Sequence, residues 1–160
     1  MKFNLLIIII IVIIIYISCY FIFPPSVQIL QTTISDFTFA TLHMRQPIVI
    51  TDYLQEKKEL IDTWFKYNLI TEITETKEGW IHNKYKYLFI NANIDTEVII
   101  YKASIYKTPP NENDRIIAIK LQKDQSLILP YRWKYFIDNP SDISCWGVHD
   151  IPTFFVSFVF

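Results

Sequence analysis

Ser126-Leu127-Ile128-Leu129-Pro130-Tyr131-Arg132-Trp133-Lys134-Tyr135-Phe136-Ile137 is the stretch whose reading decides the fold. Asp124-Gln125 makes a polar approach to a short apolar run. Proline ends that run, two residues pass, and Trp133 opens a second run rich in aromatics. Short runs of aliphatic, β-branched and aromatic residues punctuated by proline and polar turns read as strands. Strands are therefore expected over Ser126–Leu129 and Trp133–Ile137. Alternate side chains of a strand point to opposite faces, so Trp133 and Tyr135 are expected to face the interior and Arg132 and Lys134 the solvent.

The same period of two extends outward. Ile70–Thr74, Tyr85–Ile90, Glu97–Tyr101, Arg115–Leu121, Cys145–Val148 and Thr153–Phe160 are further expected strands, with the clearest turns at Asn91–Asp95, Thr108–Asp114 and Asp138–Asp142. Upstream, Val27–Leu30 and Phe37–Leu42 are short apolar pieces, and Pro47-Ile48-Val49-Ile50 reads as a buried strand. Thr51-Asp52 then serves as an N-cap pair. Leu54, Leu60, Ile61, Trp64 and Phe65 recur at helical spacing with Glu56, Lys57, Lys58 and Glu59 outward, which predicts one helix over Tyr53–Tyr67. Many short strands after a single helix suggest an antiparallel sandwich or barrel. The terminal Thr153–Phe160, apolar on both faces as a strand, is expected to be a buried central strand, with an edge awaiting a partner chain as the alternative.

The N-terminus reads differently. Leu5–Phe23 is apolar apart from Ser18, and about 20 helical residues span a hydrocarbon core of roughly 30 Å. Tyr16, Tyr20 and Phe23 suit the far interface, and Pro24-Pro25 ends the helix. A cleaved signal peptide would want small residues where Tyr and Ile surround Ser18, and Tyr16-Ile17-Ser18-Cys19 fits a lipoprotein signal poorly. The expectation is a retained anchor over residues 1–25 and a β-rich domain over residues 26–160, with the bilayer contacted through Leu5 to Phe23. Lys2 is the only basic residue before the apolar run, which puts the N-terminus in the cytosol. The domain's single thiol and its lack of a glycosylation acceptor point the other way.

Composition excludes more than it assigns. The 160 residues carry a formal net charge of −1 with no charged tail, so nothing asks for a nucleic-acid partner. Lys84-Tyr85-Lys86-Tyr87 and Tyr131–Tyr135 interleave bases with aromatics, but a strand sends the two kinds to opposite faces, whereas nucleic-acid binding needs both on one. Cys19 and Cys145 are the only cysteines, and with Gly79 and Gly147 the only glycines no phosphate-binding loop can form. The abundance of Ile, Lys, Asn, Tyr and Phe is that of an A/T-rich genome.

The run from Asp124 to Ile137, an apolar strand leading into Pro130-x-x-Trp133, resembles the closing hairpin of cupin-like and JmjC-type double-stranded β-helix domains. Gln46–Asp52 followed by a helix ending near Trp64 looks like that family's opening strand and first helix, so the resemblance covers residues 45–137. It implies a cupin-like β-domain, and an iron- and 2-oxoglutarate-dependent oxygenase wherever the metal ligands survive. The position matching the family's third ligand is Tyr135 rather than histidine, and no His-x-Asp/Glu pair occurs: His43, His82 and His149 lead into Met44-Arg45, Asn83-Lys84 and Asp150-Ile151. A facial iron site needs two imidazoles and a carboxylate. The anchor, the codon usage and the metal-less pattern together look like small membrane proteins of giant DNA viruses.

The expected architecture is therefore mainly β: an N-terminal transmembrane helix, then a small antiparallel β-sandwich or partial barrel of cupin-like type with one α-helix. The expected function is a single-pass, membrane-anchored, non-catalytic interaction or structural module with a protein partner, in a host internal membrane or a virion inner membrane. No catalytic, cofactor-binding or metal-binding residue is assigned. The alternatives are the oxygenase and a lipid or small-ligand binder that uses Trp80, Trp133 and Tyr135 at a barrel mouth. Cys145 is expected to be a buried thiol, because a strand holds it more than about 10 Å from His149. His149-Asp150 is expected at a surface turn.

Overall fold

The computed structural model describes residues 2–20, 26–52, 57–74, 79–102, 109–112 and 114–157. In chain order the elements are α1 (Lys2–Tyr20), β1 (Leu30–Thr32), α2 (Phe39–His43), β2 (Ile48–Ile50), α3 (Lys57–Trp64), β3 (Leu69–Ile73), β4 (Ile81–His82), β5 (Tyr87–Ala92), β6 (Thr96–Lys102), β7 (Ile116–Leu121), β8 (Ser126–Pro130), β9 (Trp133–Ile137), β10 (Ile143–His149) and α4 (Ile151–Val156).

The strands form two sheets. One has six strands in the order β1-β2-β8-β5-β10-β3, the other four in the order β4-β9-β6-β7. All neighbours are antiparallel except the β1–β2 pair. The mainly β architecture expected from the sequence is thus present as a two-sheet arrangement. Its core lies between the sheets, where Leu88, Ile90, Leu127, Leu129 and Cys145 of the larger sheet meet Val98, Ile100, Trp133, Tyr135 and Ile137 of the smaller.

The larger sheet is covered on its other face as well. There Ile48, Ile50, Tyr87, Phe89, Ile128, Trp146 and Val148 pack with Leu42 of α2, Ile61 of α3 and Phe65 just beyond it. Strands β5 and β8 are consequently buried on both faces, which is why they read as continuous apolar runs rather than as alternating ones. Burying one such Leu or Ile contributes on the order of 1.5–3 kcal/mol.

Several expectations are corrected. Among the described residues no helix is long and apolar enough to cross a membrane. The transmembrane anchor, the single-pass topology and the membrane or virion-membrane location are therefore not supported. Tyr16, expected at a far interface, instead donates its hydroxyl to Asp150 Oδ2 at 2.9 Å. Residues 21–25, with Phe23 and the Pro24-Pro25 stop, lie outside the described residues.

The single helix expected in the domain becomes three, α2, α3 and α4, and residues 53–56 of the expected helix start fall outside the described set. The expected strand Thr153–Phe160 is replaced over its described part by α4 and its C-cap, Ser157. Asp150 accepts from the Thr153 amide while the Thr153 hydroxyl accepts from the Asp150 amide, and Pro152 lies in the first turn. That reciprocal capping box starts a helix where residue composition alone suggests strand.

Candidate functional site

The decisive stretch folds into β8, a tight turn at Tyr131-Arg132, and β9. Arg132 takes a left-handed backbone angle, φ +70°, a conformation that costs a non-glycine residue about 1 kcal/mol or more. Buried Asn83 brackets this turn. Its side-chain amide donates to the carbonyls of Leu129 (2.9 Å) and Pro130 (2.8 Å), and its carbonyl oxygen accepts from the Tyr85 amide at 2.9 Å. Its backbone exchanges hydrogen bonds with Trp133 and Arg132.

The three candidate ligand residues are placed on two faces of the smaller sheet. Trp133 is fully buried and Tyr135 nearly so, both in the core between the sheets. Trp80 lies on the opposite face, edge-on to Tyr101 with centroids 4.8 Å apart and tilted against Phe136 at 5.6 Å. Lys134 and Arg132, expected in solvent, are buried instead, and Lys134, on the same face as Trp80, holds its ammonium 5.7 Å from the Tyr101 ring centre. Burial lowers the Lys134 pKa, with Asp114 opposing that and Arg132 adding to it.

The position that the cupin-like resemblance makes a metal ligand, Tyr135, is enclosed with Cys145 and the partly buried Tyr85. Burial raises the Tyr135 pKa, with Cys145 and Tyr85 adding to it. Burial alone pushes the Cys145 thiol up to about 12, so it is neither a ready nucleophile nor a ready ligand. Cys145 and His149 lie on one strand, β10, which keeps them apart as its spacing requires. Among the described residues, no three His, Cys, Asp or Glu side chains come together as a metal site.

A polar cluster the sequence did not reveal sits at the end of the sandwich. Asp150, between β10 and α4, uses both carboxylate oxygens. Oδ1 accepts from the Thr153 amide at 2.9 Å and hydroxyl at 2.6 Å, and Oδ2 accepts from Lys86 Nζ at 2.7 Å and the Tyr16 hydroxyl. Burial works against the Lys86 charge, but the hydrogen bond and charge of Asp150 outweigh it and raise its pKa. The Lys86–Asp150 ion pair is itself largely sheltered from solvent.

His149, expected at a turn surface, is buried. Its ring lies 4.6 Å from Tyr85 and 5.8 Å from Phe154, and its Nδ1 has no hydrogen-bond partner among the described residues. Burial lowers its pKa, with Asp150 opposing and Lys84 adding to the effect. The signal for this cluster was the Asp150-x-Pro152-Thr153 spacing. The approach of Lys86 and Tyr16 to it had none.

A surface groove of about 400 Å³ opens elsewhere on the smaller sheet, between the start of β6 and the end of β9. Ile99 and Phe136 line it together with Asp95, Glu97, Asp138 and Asp142. Its charge suits a basic group. Asp95 Oδ1 already accepts from the Lys123 amide, and Asp142 Oδ1 from Asn139 and Ser141.

Fold and site together define a two-sheet β domain with a filled core, a helical cap on the larger sheet and an apolar helix held at one end. No family model, curated protein or solved structure matches the chain.

Proposed function

We propose that this chain is a non-catalytic interaction module that binds a protein partner through α1 and the adjoining face of α4. The observation that carries this reading is the exposure of large apolar side chains. From Leu5 to Tyr16 the side chains of α1 are between 41% and 61% exposed, and on α4 Ile151 is 71% and Phe155 65% exposed. α1 lies against α4, which brings the two sets of exposed apolar side chains onto neighbouring elements. Large exposed apolar surface marks interaction sites, and a helix apolar all round is one that tends to be buried. The enclosed setting of Tyr135 and Cys145 weighs against the oxygenase alternative, and the placement of Trp80 away from Trp133 and Tyr135 weighs against a shared aromatic mouth.

A photo-crosslinking residue placed at Ile151 or Phe155 in the full chain tests this in cells. One discrete protein adduct, lost when the neighbouring position is changed by Ile151→Asp or Phe155→Asp, is the expected result. Lipid adducts alone, or none, would overturn the reading.

A further inference from the structure

We propose that His149 and Asp150 form an acid-released latch that holds α1 against the end of the sandwich. Three parts of the chain converge on the Asp150 carboxylate: α4, which it caps through Thr153; the residue before β5, Lys86; and α1, through Tyr16. It is the one residue that ties all three at once among the described hydrogen bonds. Each of its oxygens accepts two hydrogen bonds from described residues, so the carboxylate is already heavily engaged.

His149 precedes it directly and is the trigger. The residue is 6% exposed, its ring wedged between Tyr85 and Phe154, and its buried Nδ1 has no hydrogen-bond partner among the described residues. The ionisable groups facing it are Tyr85 and Lys84 from the segment before β5, and Asp150, with Lys86 and Tyr16 beyond that carboxylate. On the β3 side Asn68 donates to the His149 carbonyl at 3.2 Å.

A neutral imidazole tolerates this setting because Nδ1 can stand as an acceptor without a partner. Proton uptake makes both ring nitrogens donors. The buried N–H then has no acceptor among the described residues, and a charge has entered an apolar wedge, a costly arrangement. Two routes relieve it. Asp150 turns toward the imidazolium and gives up Thr153, Lys86 or Tyr16, or the His149 ring leaves the wedge and takes Phe154 of α4 with it. Loss of the Tyr16 contact frees α1 directly, and loss of Thr153 or Phe154 loosens α4, against which α1 lies. Burial holds the imidazole neutral until the pH falls below the ordinary histidine range, which places the release on the acidic side.

The consequence for partner binding rests on reading α1 as the contact element, but the latch is measured without a partner. Spin labels are placed at Ser18→Cys and Asn139→Cys in the full chain carrying Cys19→Ser, with Cys145 buried and unlabelled. The distance is read at about pH 7.5 and about pH 5, either side of the histidine range. The expected result is one narrow distance at the higher pH that is lost at the lower. His149→Phe should keep the narrow distance at both, Asp150→Asn should lack it at both, and His82→Gln should behave as the parent. A narrow distance in the parent at low pH, or in Asp150→Asn at high pH, would overturn the latch. Acid release that survives His149→Phe would overturn the trigger. Should His149→Phe not fold by circular dichroism, His149→Leu supplies the same comparison, and Asp150→Asn reads the latch independently.

Discussion

The ring of Tyr85 occupies the space that a side chain at Gly147 would need. A Cβ placed on Gly147 would collide with Cδ1, Cε1 and Cγ of that ring. Gly147 sits on β10 between Cys145 and His149 on the inward face, paired with Leu88 of β5 and Thr71 of β3. The missing side chain is what lets Tyr85 close the end of the core against His149.

Gly147→Ala is therefore expected to destabilise by about 1–3 kcal/mol, the usual cost of overpacking a filled core. The ring that must move is held near its root, so no flexible tip can yield. In a double-mutant cycle, Tyr85→Ala should absorb much of that penalty, because the two changes share one space. Chemical denaturation of the four variants reads the coupling, and simple additivity would refute the contact.

Asn83→Ala should be among the most damaging single changes away from the apolar core. It removes the donors to the Leu129 and Pro130 carbonyls and the acceptor for the Tyr85 amide, all in a buried setting. Unsatisfied buried polar groups cost about 1–3 kcal/mol each, and the left-handed Arg132 loses its bracket as well. A loss of about 2–4 kcal/mol in urea denaturation is expected. Asn83→Asp should recover only part of it, keeping the acceptor and losing the donors.

Stability should fall on acidification through two histidines. Burial, then the charges of Lys134, Arg132 and Lys84, lower the pKa of His82 from 6.5 to about 4, and burial lowers that of His149. Where the folded pKa lies below the unfolded one, the unfolded chain binds more protons in between. The contribution of His82 is thus complete above pH 6.5 and lost progressively as pH falls to about 4. Melting temperature should decline across that window, and His82→Gln should flatten the decline.

Cys145 should be inert in the folded protein. It is 2% exposed, and burial raises its thiol to about 12, so little thiolate exists at neutral pH. In a Cys19→Ser background, modification by a maleimide should proceed only through unfolding and accelerate with denaturant. Rapid labelling under native conditions would mean that the sandwich opens near β10.

Much of the larger architecture was legible because burial leaves a mark on residue choice. Trp133–Ile137 appears as a strand with the expected limits, and Ser126–Leu129 and Arg115–Leu121 shift by one residue. The short elements were not legible. Leu30–Thr32 becomes β1 only because it lies parallel to β2, and β4 is two residues long. Such segments carry too few side chains to show a period, and tertiary pairing decides them. The strand misread at Thr153–Phe160 has another cause. Phenylalanines and valines favour strands on average, but a capping box acts at one point and outweighs that average.

The site was less legible than the fold. Alternation in the sequence separates Trp133 and Tyr135 from Lys134, yet it says nothing about Trp80, which the smaller sheet places on the far face. His149-Asp150 beside a proline looked like a surface turn. Packing of Phe154 and Tyr85 buries the histidine, and Lys86 and Tyr16 reach the aspartate across separations of 64 and 134 residues.

What the sequence determined by itself was local and periodic. It set the longer strands between Ile70 and Val148, the inward direction of Trp133 and Tyr135, a helix over the apolar N-terminal run and the buried thiol, because burial and backbone preference act residue by residue. Only the tertiary structure decided which strands share a sheet, where Tyr85 finds room over Gly147, and how three distant elements meet at Asp150. Those outcomes depend on chain segments far apart in sequence competing for the same space and the same hydrogen-bond acceptors, and no local pattern encodes that competition.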